Sequence, residues 1–206
     1  MTIFKITGVY IETFLAGIEG LKMFFFSFRK DRFGYLAATA TIKTPMFGPK
    51  QNVFIYDHCG INSDARFICQ AGKFIMRRNC SVGPSLTVIT YNHKYDCVGQ
   101  IPETERWSDL EPIDVIVNED VWIGANVTLC PGVVIGRGSV IAAGSVCVKT
   151  KEYPPYSIIG GNPAHFLKFR LSLEDQIRHE ILRFNEEERL SIDILKKNAE
   201  NFSNQR

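Results

Sequence analysis

The stretch VIVNEDVWIGANVTLCPGVVIGRGSVIAAGSVCVK (115–149) decides the fold. Counting from Val117, every sixth residue is Ile123, Leu129, Ile135, Ile141 and Cys147, apolar without exception. The fifth residue of each unit is small or β-branched as well: Val121, Val127, Val133, Ser139 and Ser145, with Gly124, Gly132, Gly136, Gly138 and Gly144 in the slots between. Helices repeat at about 3.6 residues and strands at about 2, so neither gives this pattern. A six-residue unit reads as one short strand plus a corner, apolar residues inward, with glycine or a small polar residue tolerating the φ of the turn. Three sides close a triangular coil of eighteen residues. Stacked coils then set Ile123 over Ile141, Val117 over Ile135 and Leu129 over Cys147, about 4.8 Å apart, each coil burying its neighbour's core.

Upstream the pattern continues with a break. Ile55, Ile61 and Phe67 keep the six-residue step, as do Met76, Val82 and Val88, but the two sets are nine residues apart. An insertion is therefore expected at Gln70, Ala71, Gly72 and Lys73, leaving a corner of the stack undisturbed. After Thr90 the repeat stops. The segment YNHKYDCVGQIPETERWSDLEP (91–112) is rich in charge, proline and turn residues and reads as a long loop leaving the prism. Loops of this length in a compact repeat protein are commonly functional.

The run VWIGANVTLCPGVVIGRGSVIAAGSVCVKT (121–150), the segment YPPYSIIGGNPAHFLK (153–168) and the pair Asn92 and His93 together resemble the hexapeptide-repeat acyltransferases. The resemblance covers roughly residues 50 to 170 and is nearest to the sugar or polysaccharide O-acetyltransferases and the xenobiotic acetyltransferases. It implies a left-handed parallel β-helix, acetyl-CoA as co-substrate, no metal, and a homotrimer with coenzyme A lying between two prisms. The resemblance also implies roles for single residues. His93 becomes the catalytic general base: an acceptor hydroxyl attacking a thioester must lose its proton, and a neutral imidazole can take it. Asn62 and Asn92 fall on the acceptor side. Trp122, Ala125, Ala143, Val148, Lys149, Asn162, Pro163 and Lys168 fall along the coenzyme, the last as a cation for its phosphate or adenine end. At His165 several relatives carry arginine, and Arg170 is the expected substitute. The group orienting His93 is left open among Asp96, Glu103, Glu105, Asp109 and backbone carbonyls, and a corner N–H of Gly124 or Ala125 is the expected oxyanion donor.

Composition agrees with one domain and no nucleic acid. The 206 residues are 45% hydrophobic with a net charge of +2, and Lys and Arg are scattered. The six cysteines show no metal-finger spacing, and the expectation is a cytoplasmic protein with reduced thiols. Residues 1–50 read as an N-terminal helical segment and the lead-in to the prism, with Phe14, Ile18, Leu21, Phe25 and Phe28 on one helical face. Glu12, Glu19 and Lys22 interrupt it, so no uncharged run is long enough to span a bilayer. Whether that face packs on the prism or touches a membrane is open. Residues 51–168 read as the β-helix with loop 91–112, and 169–206 as a helical tail. In the tail, Ser172, Glu174 and Asp175 mark a helix start, Ile177, Ile181 and Leu182 form its apolar side, and the helix is expected over the open end of the stack.

Three functions compete at this level. One is acetyl transfer to a sugar hydroxyl. Another is acetyl transfer to an antibiotic of streptogramin or chloramphenicol type. The third is a metal-dependent hydratase of the same fold, which requires three histidine ligands where only His58 and His93 offer themselves. Acceptor and acyl chain length are not legible, and Tyr95 and Trp107 are open as sugar-stacking residues.

Overall fold

The computed structural model describes residues 32–43, 46–93, 98–99, 111–149, 151 and 153–203. The N-terminal segment read as a helix, the body of loop 91–112 and the four acids considered for orienting His93 lie outside these residues.

Among the described residues, seventeen short strands build three sheets that run up a triangular prism. Sheet A stacks β1 (Tyr35–Leu36), β4 (Val53–Ile55), β7 (Phe74–Met76), β10 (Val115–Val117) and β13 (Val134–Ile135). Sheet B stacks β2 (Thr41–Ile42), β5 (Gly60–Ile61), β8 (Ser81–Val82), β11 (Trp122–Ile123) and β14 (Val140–Ile141), then β16 (Ser157–Gly161) and β17 (Ala164–Phe169). Sheet C stacks β3 (Met46–Phe47), β6 (Ala65–Ile68), β9 (Thr87–Ile89), β12 (Thr128–Leu129) and β15 (Val146–Cys147). The chain therefore visits A, B and C in turn, and each visit to all three is one rung of a parallel β-helix.

The register is the one the spacing requires. Val117 pairs with Ile135, Ile123 with Ile141 and Leu129 with Cys147. All six are at most 1% exposed. Removing an Ile or Leu side chain from water is worth roughly 1.5–3 kcal/mol, and one such residue per side per rung makes a continuous core. Position five follows: Val121, Val127, Val133, Ser139 and Ser145 are equally buried, and the Ser139 and Ser157 hydroxyls, one rung apart, bond each other at 3.1 Å.

The corners stack as well. At the edge between sheets A and B, here the AB edge, His58, Asn79, Asp120, Gly138 and Tyr156 lie one above another, all with positive φ. At the BC edge the same column is Asp64, Ser85, Asn126 and Gly144. Asn, Asp and Gly reach this left-handed region at least cost, which is why they recur at the corners. Gly138 has no alternative, because a Cβ there would meet the Tyr156 ring at 2.4 Å.

Two expectations need correction. The prism begins at Tyr35, ahead of residue 51, because β1 pairs with β4, β2 with β5 and β3 with β6. Those pairs join Leu36 to Ile55, Ile42 to Ile61 and Met46 to Ala65, nineteen residues apart, and the extra residue hides the period. The C-terminal helix is the other. It runs as α1 (Leu173–Arg183), capped by Ser172, whose side chain accepts from Asp175 N–H. Its buried residues are Gln176 and Glu180, while Ile181 and Leu182 are 55% and 71% exposed. The polar face is turned inward because the prism presents charge to it. Glu180 takes Arg137 Nη1 at 3.0 Å, Tyr156 Oη at 2.6 Å and the Leu190 N–H at 2.9 Å. Arg137 also holds Glu119 at 3.2 Å and lies over the Phe184 ring. Arg78 grips Glu188 through both nitrogens at 2.9 and 2.7 Å. These residues climb the AB edge over four rungs, so α1 is a buttress along that edge. The upper end of the stack is closed by β16, β17 and Tyr153, whose hydroxyl donates to the Ala164 carbonyl. A second helix, α2 (Ile192–Ser203), packs on α1 and β17. Among the described residues no helix is long and apolar enough to cross a membrane.

Candidate active site

With the AB edge covered by helix, the site residues divide between the other two edges. The CA edge, where each rung turns from sheet C back to sheet A, carries the interruptions. Rung two has its three extra residues at Gln70–Lys73, as the spacing requires: Ile55 pairs with Met76 and Phe67 with Val88, each twenty-one apart. Directly above, rung three is interrupted after Thr90 and resumes at Ile113.

The two interruptions are stitched together. Buried Thr90 donates its hydroxyl to the Ala71 carbonyl, and the Ile113 N–H donates to the Thr90 carbonyl at 3.0 Å. The Lys73 N–H donates to the Asp114 carboxylate at 2.7 Å, and the Asn52 side chain donates to the Cys69 carbonyl at 2.9 Å. Gly72 sits inside this stitch with φ +68°, and a Cβ there would lie 2.6 Å from the Thr90 carbonyl oxygen and 2.7 Å from the Ile113 nitrogen. Three residues beyond Thr90 stands His93, exposed, with its N–H on the Asn92 side-chain oxygen at 3.0 Å and its ring edge-on to Tyr91 at 6.2 Å. Val148 and Lys149 top the same edge. The stem of Lys149 runs down over Gly132, where a Cβ would meet its Cδ at 2.6 Å and an Ile113 methyl at 3.2 Å. The lysine thus lies along the edge above the point where the loop returns.

The BC edge is bare by contrast. Asn62, Gly83, Gly124 and Ala142 succeed one another through N–H bonds to Val82, Ile123, Ile141 and Ile159, with Ala125 and exposed Ala143 beside them. Gly160 and Gly161 continue the strip to the β16–β17 hairpin, whose tip is Asn162 and Pro163, joined by a cis peptide and both exposed. Small side chains leave the outer surface open at Ala125 and Ala143, whereas Gly160 is buried beneath Leu167, whose Cδ1 a Cβ there would meet at 2.9 Å. Trp122, 58% exposed, stands on the outer face of sheet B between Ser81 and Val140. Lys168 lies on that sheet too, opposite Ile158 and exposed.

Residues 114–149 match the bacterial transferase hexapeptide family, six repeats. The chain is similar to a probable macrolide acetyltransferase of Lysinibacillus sphaericus, 39% identical over 115 residues, which are 50% of the chain and 63% of the relative. It spans about half the length of the next curated relatives. Among solved structures it resembles a hexapeptide-repeat acetyltransferase from Vibrio cholerae O1 biovar eltor complexed with acetyl-coenzyme A, at TM-score 0.61 and 28% identity, over 69% of this chain and 74% of that one. A maltose O-acetyltransferase from Clostridium difficile 630 superposes at TM-score 0.59 with 27% identity, over 68% of this chain and 71% of the other.

The predicted site residues are not one cluster. Asn92, His93, Val148 and Lys149 share the CA edge; Asn62, Ala125, Ala143, Asn162 and Pro163 share the BC edge, with the width of sheet C between them. Asn62 stands one rung above exposed Lys43 in its column, and its side-chain oxygen accepts the Ser63 N–H at 2.9 Å. Two sequence expectations change. Gly124 N–H already donates to the Ile141 carbonyl at 2.8 Å, so it does not serve an oxyanion. Arg170 is held in the buttress, 3.2 Å from Asp120 and 3.0 Å from the Gly138 carbonyl, and does not replace a phosphate-binding arginine. His58 lies on the AB edge, away from His93, so the two histidines of the metal reading do not converge. Among the described residues no three metal-ligating side chains do so, and the five described cysteines are free thiols. The ties of Thr90 and Asp114 to this bulge were missed by sequence reasoning, although the nine-residue step between Phe67 and Met76, with Gly72 in the expected insertion, marks the place.

Proposed function

We propose that the chain is an acetyl-CoA-dependent O-acetyltransferase acting on a hydroxyl of a sugar or polysaccharide precursor, with His93 as the general base. The observation that carries this reading is the position of His93 at the mouth of the rung-three excursion, on the edge that Lys149 runs down. In the reaction the imidazole takes the acceptor's proton as its oxygen bonds to the thioester carbonyl carbon. The tetrahedral intermediate collapses with cleavage of the carbon–sulfur bond, and the imidazolium returns its proton to the departing thiolate. Exposure of the ring is compatible with this role, since a base must be reached by its substrate. The relative complexed with acetyl-coenzyme A supports the donor, and the small-residue strip on the BC edge offers the backbone groups a pantetheine arm bonds to.

Separation of the two sets by sheet C favours a homotrimer. When each copy turns sheet C inward, the BC edge of one copy borders the CA edge of the next, and the groove between them gains both the bare strip and His93. A cytoplasmic location follows from the need for acetyl-CoA.

A second reading keeps the chemistry and changes the acceptor to an antibiotic, and the likeness to a macrolide acetyltransferase favours it. Radiolabelled acetyl-CoA offered with a panel of sugars, nucleotide sugars, macrolides, streptogramins and chloramphenicol separates the two. Label in the sugar products is expected. Label in the drugs alone replaces the first reading by the second, and label in none refutes acetyl transfer.

A further inference from the structure

Two thiols of the core stand one above the other on the lower part of the AB edge. Gly60 pairs with Ser81 and its N–H donates to the Cys80 carbonyl at 2.8 Å, which sets Cys59 of rung two directly beneath Cys80 of rung three. Both are buried, 2% and 1% exposed. The column they share continues upward as Val121, Ser139 and Ser157. Side chains one rung apart touch in this column: the Ser139 and Ser157 hydroxyl oxygens are 3.1 Å from each other. The hydrogen bonding repeats as well. Ser139 donates to the Pro154 carbonyl at 3.1 Å, Cys59 to the Arg77 carbonyl at 3.0 Å and Cys80 to the Asn118 carbonyl at 3.1 Å. Paired strands hold such neighbours about 4.8 Å apart, inside the range of about 4.4–6.8 Å between Cα atoms that a disulfide spans. Where the column carries hydroxyls the rungs share a hydrogen bond; where it carries thiols they can share a covalent one.

Cys59 is the thiol placed to react first. The contact with Cys80 holds it below the usual thiol value, against its burial, while the same contact, with burial, raises Cys80. The thiolate is the nucleophile of thiol chemistry. Cys59 also lies directly behind the exposed corner Asp57–His58. Among the described residues, the lowest rung that the helical tail grips is the one above, through Arg78 and Glu188 at 2.7 Å. Opening of the Asp57–His58 corner therefore exposes Cys59 without undocking the tail.

We propose that Cys59 and Cys80 are a redox pair, oxidised by hydrogen peroxide to a disulfide that ties rung two to rung three. The Cys59 sulfur attacks one peroxide oxygen and the O–O bond breaks. The other oxygen leaves as hydroxide and takes the proton shed by Cys59, giving water and a Cys59 sulfenic acid. The Cys80 sulfur then displaces that hydroxyl, which departs as a second water with the Cys80 proton, and the S–S bond closes. Two electrons pass from the thiols to the peroxide. Where the compartment is reducing, thiol exchange reopens the bond, so the pair reports peroxide and resets. The competing account is that both thiols are small apolar fillers of the core.

The full-length wild type, Cys59→Val, Cys80→Val and, as a control, Cys130→Ser are treated with hydrogen peroxide. Remaining thiols are blocked, and the digests are mapped by mass spectrometry. A Cys59–Cys80 linked peptide, lighter by two hydrogens and reversed by dithiothreitol, is expected in wild type and Cys130→Ser and in neither valine variant. Dimedone is expected to label Cys59 in Cys80→Val and to leave Cys80 unlabelled in Cys59→Val. The oxidised wild type is expected to unfold at a higher urea concentration than its reduced form, because the bond constrains the unfolded chain. Cys59 and Cys80 unreacted after other cysteines have oxidised overturns the pair, as does a link that forms only in unfolding urea. The wild-type map decides by itself should either valine variant fail to fold.

Discussion

The hydroxyl of Thr90 donates to the carbonyl of Ala71, and this bond ties the bulge of rung two to the strand end from which His93 departs. Thr90 is fully buried, so its removal leaves a carbonyl without its partner. Thr90→Val is predicted to cost about 1–3 kcal/mol, read by urea denaturation. Its kcat for acetyl transfer is expected to fall while KM for acetyl-CoA holds, because most of the residues proposed for the coenzyme are on another edge. Thr90→Ser restores both. A kcat equal to wild type at full occupancy contradicts the coupling.

Glu180 is 2% exposed and joins Tyr156, Arg137 and the Leu190 N–H. Glu180→Ala leaves Arg137 half-compensated in a buried setting, and a loss of about 3–5 kcal/mol is expected. Leu182→Ser, on the exposed side of the same helix, changes stability by less than about 0.5 kcal/mol. Thermal unfolding of the two variants decides whether α1 docks by its polar or its apolar face.

How much of this was legible follows from where the period survives. Val117 to Cys147 announced side, rung and register because each rung there has the same length, and only a fixed length turns spacing into stacking. Rung one escaped because a nineteen-residue step moves every core residue out of phase. Docking of α1 was misread for a different reason: Ile177, Ile181 and Leu182 look like a core stripe, and nothing local says that Arg137, forty-three positions before Glu180, waits for a carboxylate. The candidate residues were individually legible but their grouping was not, since Asn62 and His93 occupy neighbouring rungs yet different corners, a distinction that depends on counting sides.

Alkaline pH is expected to loosen the prism. Burial raises Tyr153 to about 12 and Cys147 to about 12, and Cys69 to about 11. Each is raised above its unfolded value, so the stability from keeping it neutral is complete below that value and is lost as pH climbs through the folded one. With thiols near 8.5 and tyrosine near 10 when unfolded, the melting temperature falls from about pH 9 upward. Tyr153→Phe flattens the part above pH 10. A melting temperature constant from pH 8 to 11 contradicts the assignment.

Ala143 is exposed on the bare BC edge, and a longer side chain there meets no wall. Ala143→Glu is predicted to raise KM for acetyl-CoA more than tenfold through obstruction and charge, with an unchanged melting temperature. An unaltered KM would move the donor off this edge.

The acetyl-transfer account is tested most directly by the rate of acetyl-CoA-dependent acetylation in His93→Ala, measured at saturating donor on the best acceptor of the wild type. General-base chemistry predicts a fall of about 100- to 10,000-fold with the melting temperature retained, because the ring is exposed and stands outside the core. Turnover matching the wild type would mean that the histidine at the broken rung does no chemistry.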